Sequence, residues 1–103
     1  LNIDHVGNPG THWTLIYRID DDAIAYFDSY GSYIPINISK MLKDNKLHMN
    51  LQDLQQLKST ACGYFVLYVA DKLLEGNDFF DIIYSFKANG NSKNEKILKD
   101  YFI

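Results

Sequence analysis

The sequence predicts an α+β fold in which a small antiparallel or mixed sheet packs on a central buried helix, with further helices at the C-terminal end. Residues 11–19 and 23–29 alternate between apolar and polar side chains as strands do, and the short acidic connection between them predicts an antiparallel hairpin. The uncharged run at residues 63–70 predicts the central helix, because it continues through residues that helices tolerate and stops at Gly76, which suits a helix end.

The remaining elements complete this fold. A short helix capped by Asn37 or Ser39 is expected to run to residue 44, and the alternation at residues 46–52 predicts a third strand. Apolar residues recur every three or four positions over residues 78–86, which indicates an amphipathic helix. A flexible link at residues 88–91 precedes a last helix, whose start has the spacing of a capping box.

Composition limits the class of protein. The chain has 103 residues, enough for one domain spanning residues 1–103, and 47% of them are hydrophobic, so it can bury a core. A net charge of -3 argues against binding to nucleic acid. A single cysteine excludes an internal disulfide and a cysteine-rich zinc site and fits a reducing, intracellular compartment. We expect no metal, no cofactor and no membrane-spanning segment.

That cysteine, Cys62, opens the predicted central helix. The unpaired amides and the positive end of the helix dipole favour a thiolate there, as a nucleophile requires. Most free cysteines are small core hydrophobes, however, and local sequence leaves both interpretations open.

Two other residues become candidates through the predicted hairpin. A hairpin brings the start of its first strand near the end of its second, which places His12 close to Asp28. By itself, Asp28 reads as a turn aspartate before residues 29–31. Together with Gln55 or Gln56 and Cys62, the pair supplies every group that a cysteine hydrolase needs: a nucleophile, a base, a carboxylate that orients the base, and an amide donor for the oxyanion.

These residues resemble the adenovirus-type (adenain-like) cysteine proteases, which share a clan with the ubiquitin-like (SUMO) proteases. The resemblance is carried by three segments of this sequence: Gly10-Thr11-His12-Trp13, Tyr26-Phe27-Asp28-Ser29-Tyr30-Gly31, and Gln55 followed by Ser59-Thr60-Ala61-Cys62-Gly63-Tyr64. The resemblance covers about residues 10–68, and the sequence of the second segment is more similar to the viral branch of the clan.

The resemblance implies a role for each matching residue. His12 would be the general base, Asp28 the residue that orients it and Cys62 the nucleophile. The clan's glutamine lies six or seven residues before the cysteine, so Gln56 or Gln55 fits; Gln55 is preferred, and its amide would share the oxyanion with the Cys62 backbone N–H.

Trp13, next to the histidine, would wall the cleft and contact the substrate. The function implied is a thiol endopeptidase that cleaves protein or peptide substrates, as in viral precursor processing within a virion or an infected cell. The alternatives are an isopeptidase acting on ubiquitin or SUMO conjugates, acyl transfer through the same triad, and an inactive peptide-binding homologue. Domains of this family carry further helices before the histidine, and the chain opens at Leu1, so we expect a C-terminal fragment.

Overall fold

The computed structural model describes residues 12–55, 61–86 and 92–102. Its elements, in chain order, are β1 (Leu15–Arg18), β2 (Ala23–Phe27), α1 (Ile36–Met41), β3 (Lys46–Met49), α2 (Cys62–Leu74), α3 (Phe79–Tyr84) and α4 (Ser92–Phe102). The predicted α+β class is confirmed. Gln56 and the predicted link at residues 88–91 lie outside the described residues.

The strands form one mixed sheet in the order β1-β2-β3. β1 and β2 pair antiparallel, with Leu15 opposite Phe27, so the predicted hairpin is confirmed. β3 lies parallel to β2 on its other side, with Tyr26 opposite Met49. β2 is therefore the central strand. Every residue of β2 is buried, as expected for a strand that is covered on both faces.

The acidic connection closes the hairpin through its own side chain. Asp20 Oδ1 accepts hydrogen bonds from the backbone N–H groups of Asp22 at 2.8 Å and Ala23 at 2.9 Å. Aspartate favours turns because its short side chain can accept backbone donors in this way. The same turn starts the next pairing, since the N–H of Lys46 donates to the carbonyl of Asp22 at 2.7 Å.

The core lies between the sheet and the helices. α2 contributes Phe65, Val69 and Leu73, which pack with Phe27 of β2 in a cluster that α3 and α4 complete. α2 is buried on one face only: Tyr64 on the other face is 58% exposed, although its sequence is apolar. The helix that starts at the cysteine thus packs on the sheet as expected, but it keeps an apolar surface outside the core.

The short helix α1 differs from the prediction. Pro35 precedes its first residue, and no side chain caps the helix. The expected caps, Asn37 and Ser39, lie inside the helix, so that prediction was wrong. Proline is favoured at the start of helices because its fixed φ suits that position and its missing N–H has no partner to lose.

The turn after β2 requires a glycine. Gly31 has a φ of 73°, and a Cβ added to it would lie 2.6 Å from the carbonyl oxygen of Leu51. Gly76, after α2, also has a positive φ, but a Cβ there would meet nothing within 4 Å. The two glycines therefore share the conformation and differ in the space around them.

We expect Gly76→Ala to lower the free energy of unfolding by roughly 1–2 kcal/mol, the cost of a left-handed conformation for an L-residue. Gly31→Ala should cost clearly more, because the backbone at Leu51 must also shift. Urea unfolding at 25 °C measures both losses. Equal losses for the two variants would contradict the close packing described for Gly31.

Candidate active site

The candidate site is built around the residue that follows β2. Asp28 donates its backbone N–H to Asn50 Oδ1 at 3.0 Å, and Asn50 Nδ2 donates to the Asp28 carbonyl at 2.6 Å. Asn50 follows β3 directly, and the ends of two parallel strands meet at one edge of the sheet. Because β2 and β3 run parallel, the Asn50 side chain lies beside Asp28 and bonds to both its backbone N–H and its carbonyl group.

The Asp28 carboxylate is 1% exposed and is oriented by its own turn. Its Oδ1 accepts from the Tyr30 backbone N–H at 2.8 Å and from His12 Nε2, also at 2.8 Å. The other oxygen, Oδ2, is buried with no hydrogen-bond partner among the described residues. The predicted closeness of His12 and Asp28 is thus confirmed, and the carboxylate that meets the histidine has one fixed orientation.

The imidazole of His12 is shifted toward its protonated form. The hydrogen bond with Asp28 is the largest cause that raises the His12 pKa above its usual 6.5; burial acts in the opposite direction. The charge of Asp28, together with a hydrogen bond and the charge from Cys62, raises the pKa further. Because Nε2 is occupied by Asp28, Nδ1 is the ring nitrogen left for the thiol.

Cys62 is the first residue of α2 and is 6% exposed. Its Sγ accepts a hydrogen bond from the backbone N–H of Trp13 at 3.5 Å. Trp13 Cδ1 lies 3.9 Å from the position that a Cβ on Gly63 would take, so the indole lies against the start of the helix. Trp13 remains 45% exposed. The segment carrying His12 and the helix carrying Cys62 therefore meet at the sulfur, with Trp13 beside it.

Gln55 is anchored to the same turn as Asp28. It is 1% exposed, its Oε1 accepts a hydrogen bond from Ser29 Oγ, and its backbone N–H donates to the Ser29 carbonyl at 3.0 Å. Since the amide oxygen is turned toward Ser29, the amide NH2 group is directed elsewhere. Gln55 thus points into the molecule, whereas Gln56 is outside the described residues.

Besides Asn50, sequence reasoning missed two further supporting residues, Tyr30 and Asn94. The Tyr30 ring lies 4.9 Å from the His12 ring, centroid to centroid, at an angle of 37°. Its position two residues after Asp28, at the end of the hairpin, could have indicated that it lies near the histidine. Asn94, in α4 and fully buried, donates from Nδ2 to the Leu54 carbonyl at 3.0 Å and so holds the loop that carries Gln55. No local pattern in the sequence indicates that contact.

The described part of the chain contains neither a cluster of metal ligands nor a helix that could cross a membrane. Within residues 12–55, 61–86 and 92–102, no three or more His, Cys, Asp or Glu side chains are grouped so that they could hold a metal ion. None of the helices in that part of the chain combines the length and the apolar character that crossing a membrane requires.

Comparison with known proteins returned no match among protein-family models, curated proteins or solved structures. The indications of function are therefore the geometry of the site and the identity and order of its residues.

The pKa of His12 offers a direct test of the geometry. Asp28→Asn keeps the shape of the side chain but removes its charge, so the pKa of His12 should fall toward or below 6.5. Titration of the His12 ring protons by NMR measures the change. Asp44→Asn, at an exposed position, is the matched control and should leave that pKa unchanged.

The raised pKa also predicts how stability depends on pH. A group whose folded pKa is raised stabilises the protein fully below its unfolded pKa, about 6.5 for histidine, and loses this contribution as pH rises through the folded pKa. The stability difference between the wild type and Asp28→Asn should shrink over that window. A constant difference would contradict the His12–Asp28 contact.

Proposed function

We propose that this chain is the catalytic part of a cysteine endopeptidase that cleaves protein substrates through Cys62, His12 and Asp28. The observation that carries the proposal is the hydrogen bond between His12 and the buried carboxylate of Asp28, on an imidazole that also interacts with the Cys62 thiol. Nucleophile, base and orienting carboxylate in this order of contact form the arrangement that activates a thiol.

The first step is activation of the thiol. His12 Nδ1 accepts the proton of Cys62 Sγ, which gives a thiolate and an imidazolium. Asp28 stabilises that imidazolium through Nε2–H and keeps the ring oriented. The position of Cys62 at the first residue of α2 also favours the negative sulfur, because the N-terminus of a helix carries a partial positive charge. The Trp13 N–H donates to the same sulfur.

The thiolate then attacks the carbonyl carbon of the scissile peptide bond. The Sγ–C bond forms, the imidazolium of His12 gives its proton to the leaving amine, and the C–N bond breaks. Water, deprotonated by His12, hydrolyses the resulting thioester and regenerates the free thiol. His12 thus passes the thiol proton to the leaving amine and then a proton of the water to the sulfur, as the carboxylic acid product leaves.

The oxyanion formed in both steps needs preorganised donors. The Cys62 backbone N–H is one, because the first N–H groups of a helix have no partner within it. The Gln55 side chain is proposed as the other, because its amide oxygen accepts from Ser29 Oγ and an amide NH2 group acts as a donor. A donor that is fixed before the reaction stabilises the transition state without reorganisation.

The resemblance to the adenovirus-type cysteine proteases supports the same conclusion. The residues appear in the family's chain order, His12, Asp28, Gln55 and Cys62, with Trp13 after the histidine. This order favours hydrolysis of peptide bonds in proteins. The similarity of the segment around Asp28 to the viral branch favours precursor processing in an infected cell or a virion.

The reactivity of Cys62 tests the triad. Wild-type protein should react with 2-chloroacetamide at pH 6, because the thiolate is paired with the His12 imidazolium. In His12→Ala the rate should rise only as pH approaches about 8.5, the ordinary pKa of a free thiol. Mass spectrometry of the modified peptide follows the rate, and circular dichroism checks the fold. Identical pH profiles for the wild type and His12→Ala would mean that Cys62 is an ordinary core residue and not an activated nucleophile.

The two glutamines are distinguished by turnover. In the full-length protein, Gln55→Ala should lower the turnover of a fluorogenic peptide substrate by roughly 100- to 1000-fold, the loss expected for one oxyanion donor. Alkylation of Cys62 should remain unchanged, since the thiolate forms without that donor. Gln56→Ala is the control and should have little effect. If Gln56→Ala carries the loss instead, the donor is in the six-residue register of the ubiquitin-like branch.

A further inference from the structure

The ring of Tyr30 lies against the imidazole of His12, the group that carries protons in the proposed mechanism. The two ring centroids are 4.9 Å apart, and the ring planes are tilted by 37°. Aromatic rings in proteins attract each other at centroid separations of about 4.5–7 Å. The phenol is therefore in contact with the imidazole, although no step of the mechanism uses it.

The backbone of Tyr30 is fixed to the carboxylate that the histidine meets. Its N–H donates to Asp28 Oδ1 at 2.8 Å, and His12 Nε2 bonds to the same oxygen, also at 2.8 Å. The Gly31 N–H closes this turn by donating to the Asp28 carbonyl at 2.8 Å. The phenol thus approaches the imidazole from a turn that is anchored to the imidazole's own hydrogen-bond partner.

The bond to Asp28 alone does not fix the plane of the imidazole. Rotation about the Cβ–Cγ bond of a histidine has a broad energy minimum, and Nε2 lies close to the axis of that rotation. Nδ1 lies further from the axis, so its direction depends on a second contact with the ring. The Tyr30 ring supplies such a contact, while His12 keeps 20% of its side chain exposed.

The same contact suits the charge that His12 gains. A cation within about 6 Å of an aromatic ring centroid is attracted by the negative face of the ring. The charges that act on the imidazole are those of Asp28, at the end of β2, and Cys62, at the start of α2.

The Tyr30 phenol stays neutral while the imidazole titrates. Burial is the largest cause that raises the pKa of Tyr30 above its usual 10.0, and four negative charges raise it further, those of Cys62, Asp53, Asp28 and Glu95. The imidazolium of His12 therefore meets an uncharged ring, and removal of that ring would leave the surrounding charges in place.

We propose that Tyr30 is a positioning residue for His12: its ring holds the imidazole plane so that Nδ1 faces Cys62, and it stabilises the imidazolium that pairs with the thiolate. The proposal rests on the proposed function, because it takes His12 as the base of the triad. It adds a fourth side chain to the machinery, one that acts through the histidine and not on the substrate.

Two substitutions separate the ring from its hydroxyl group. Tyr30→Leu replaces the ring with an apolar side chain that keeps the imidazole covered, and Tyr30→Phe keeps the ring. Both retain the backbone N–H that holds Asp28. NMR titration of the His12 ring protons in the full-length protein should show a lower pKa in Tyr30→Leu, because leucine offers no negative face to the imidazolium. Tyr30→Phe should restore the wild-type titration.

Labelling of Cys62 by 2-chloroacetamide tests the same role at the nucleophile. The Sγ–CH2 bond forms and chloride leaves, while the thiol proton stays on His12. At pH 6, Tyr30→Leu should be labelled about 2- to 5-fold more slowly than the wild type, the size of a cation–π contact at a partly exposed site. At about pH 9.5, above the ordinary pKa of a free thiol, the two rates should be equal. A merely structural role would change the rates at both pH values or at neither.

The chain offers a matched control in a second pair of a histidine and an aromatic residue. Phe80 stacks on His48 with ring centroids 5.4 Å apart. Phe80→Leu makes the same replacement at that pair and should leave the His12 titration and both labelling rates unchanged. Circular dichroism and thermal unfolding establish that each variant is folded. In the wild type, an NOE between the Tyr30 and His12 ring protons tests the contact without any substitution.

The outcomes separate the positioning role from the catalytic proposal. If Tyr30→Leu keeps the wild-type His12 titration and the wild-type labelling rate at pH 6, the positioning role is wrong and the triad stands. A loss shared by Tyr30→Phe or by Phe80→Leu, or the absence of the NOE, also overturns that role. If the wild type is labelled no faster than His12→Ala at pH 6, the proposed function itself fails, and the His12 titration still decides the ring contact.

Discussion

The burial of the Asp28 carboxylate is the constraint on which the site depends. A carboxyl group removed from water is costly unless hydrogen-bond donors meet it, and the surrounding structure provides two donors at Oδ1, while Oδ2 has none among the described residues. Tyr30 and His12 donate to its oxygen, while Asn50 holds its backbone from the neighbouring strand end. The crowding around Gly31 follows from the same requirement, because the turn that delivers the Tyr30 N–H presses against the chain after β3. The orientation of the imidazole thus follows from the hydrogen bonds made at the ends of β2 and β3.

Three separate segments meet at Asp28 and the next residue, Ser29, and the sheet determines where they meet. The antiparallel partner of β2 brings His12, the parallel partner brings Asn50, and the loop beyond Asn50 brings Gln55 against Ser29. α2 approaches from outside the sheet, and its first residue is the one that reaches the site. The central strand contributes no side chain from within itself; its role is to align the residues on either side.

The features that sequence could predict were those with a local signal. Alternation and an acidic turn indicated the hairpin, which in turn implied the approach of His12 to Asp28. The direction of β3 was not predictable, because alternation specifies neither which strand a neighbour is nor which way it runs. The two hydrogen bonds between Asn50 and the Asp28 backbone depend on that direction, so they were not predicted either. The exposed face of α2 was missed for a related reason: the uncharged run at residues 63–70 indicates a buried helix, and the local sequence does not show which face of it, here that of Tyr64, stays exposed.

Four of the contacts that assemble the site join residues far apart in the chain. His12 and Asp28 are 16 positions apart, Ser29 and Gln55 are 26, Leu54 and Asn94 are 40, and Trp13 and Cys62 are 49. Such contacts form only after the entropy of closing long loops has been overcome, so they appear late in folding. A nascent or partly folded chain then has no paired imidazole at its cysteine. Reactivity would arise only with the complete tertiary structure, and the thiol would stay inert during synthesis.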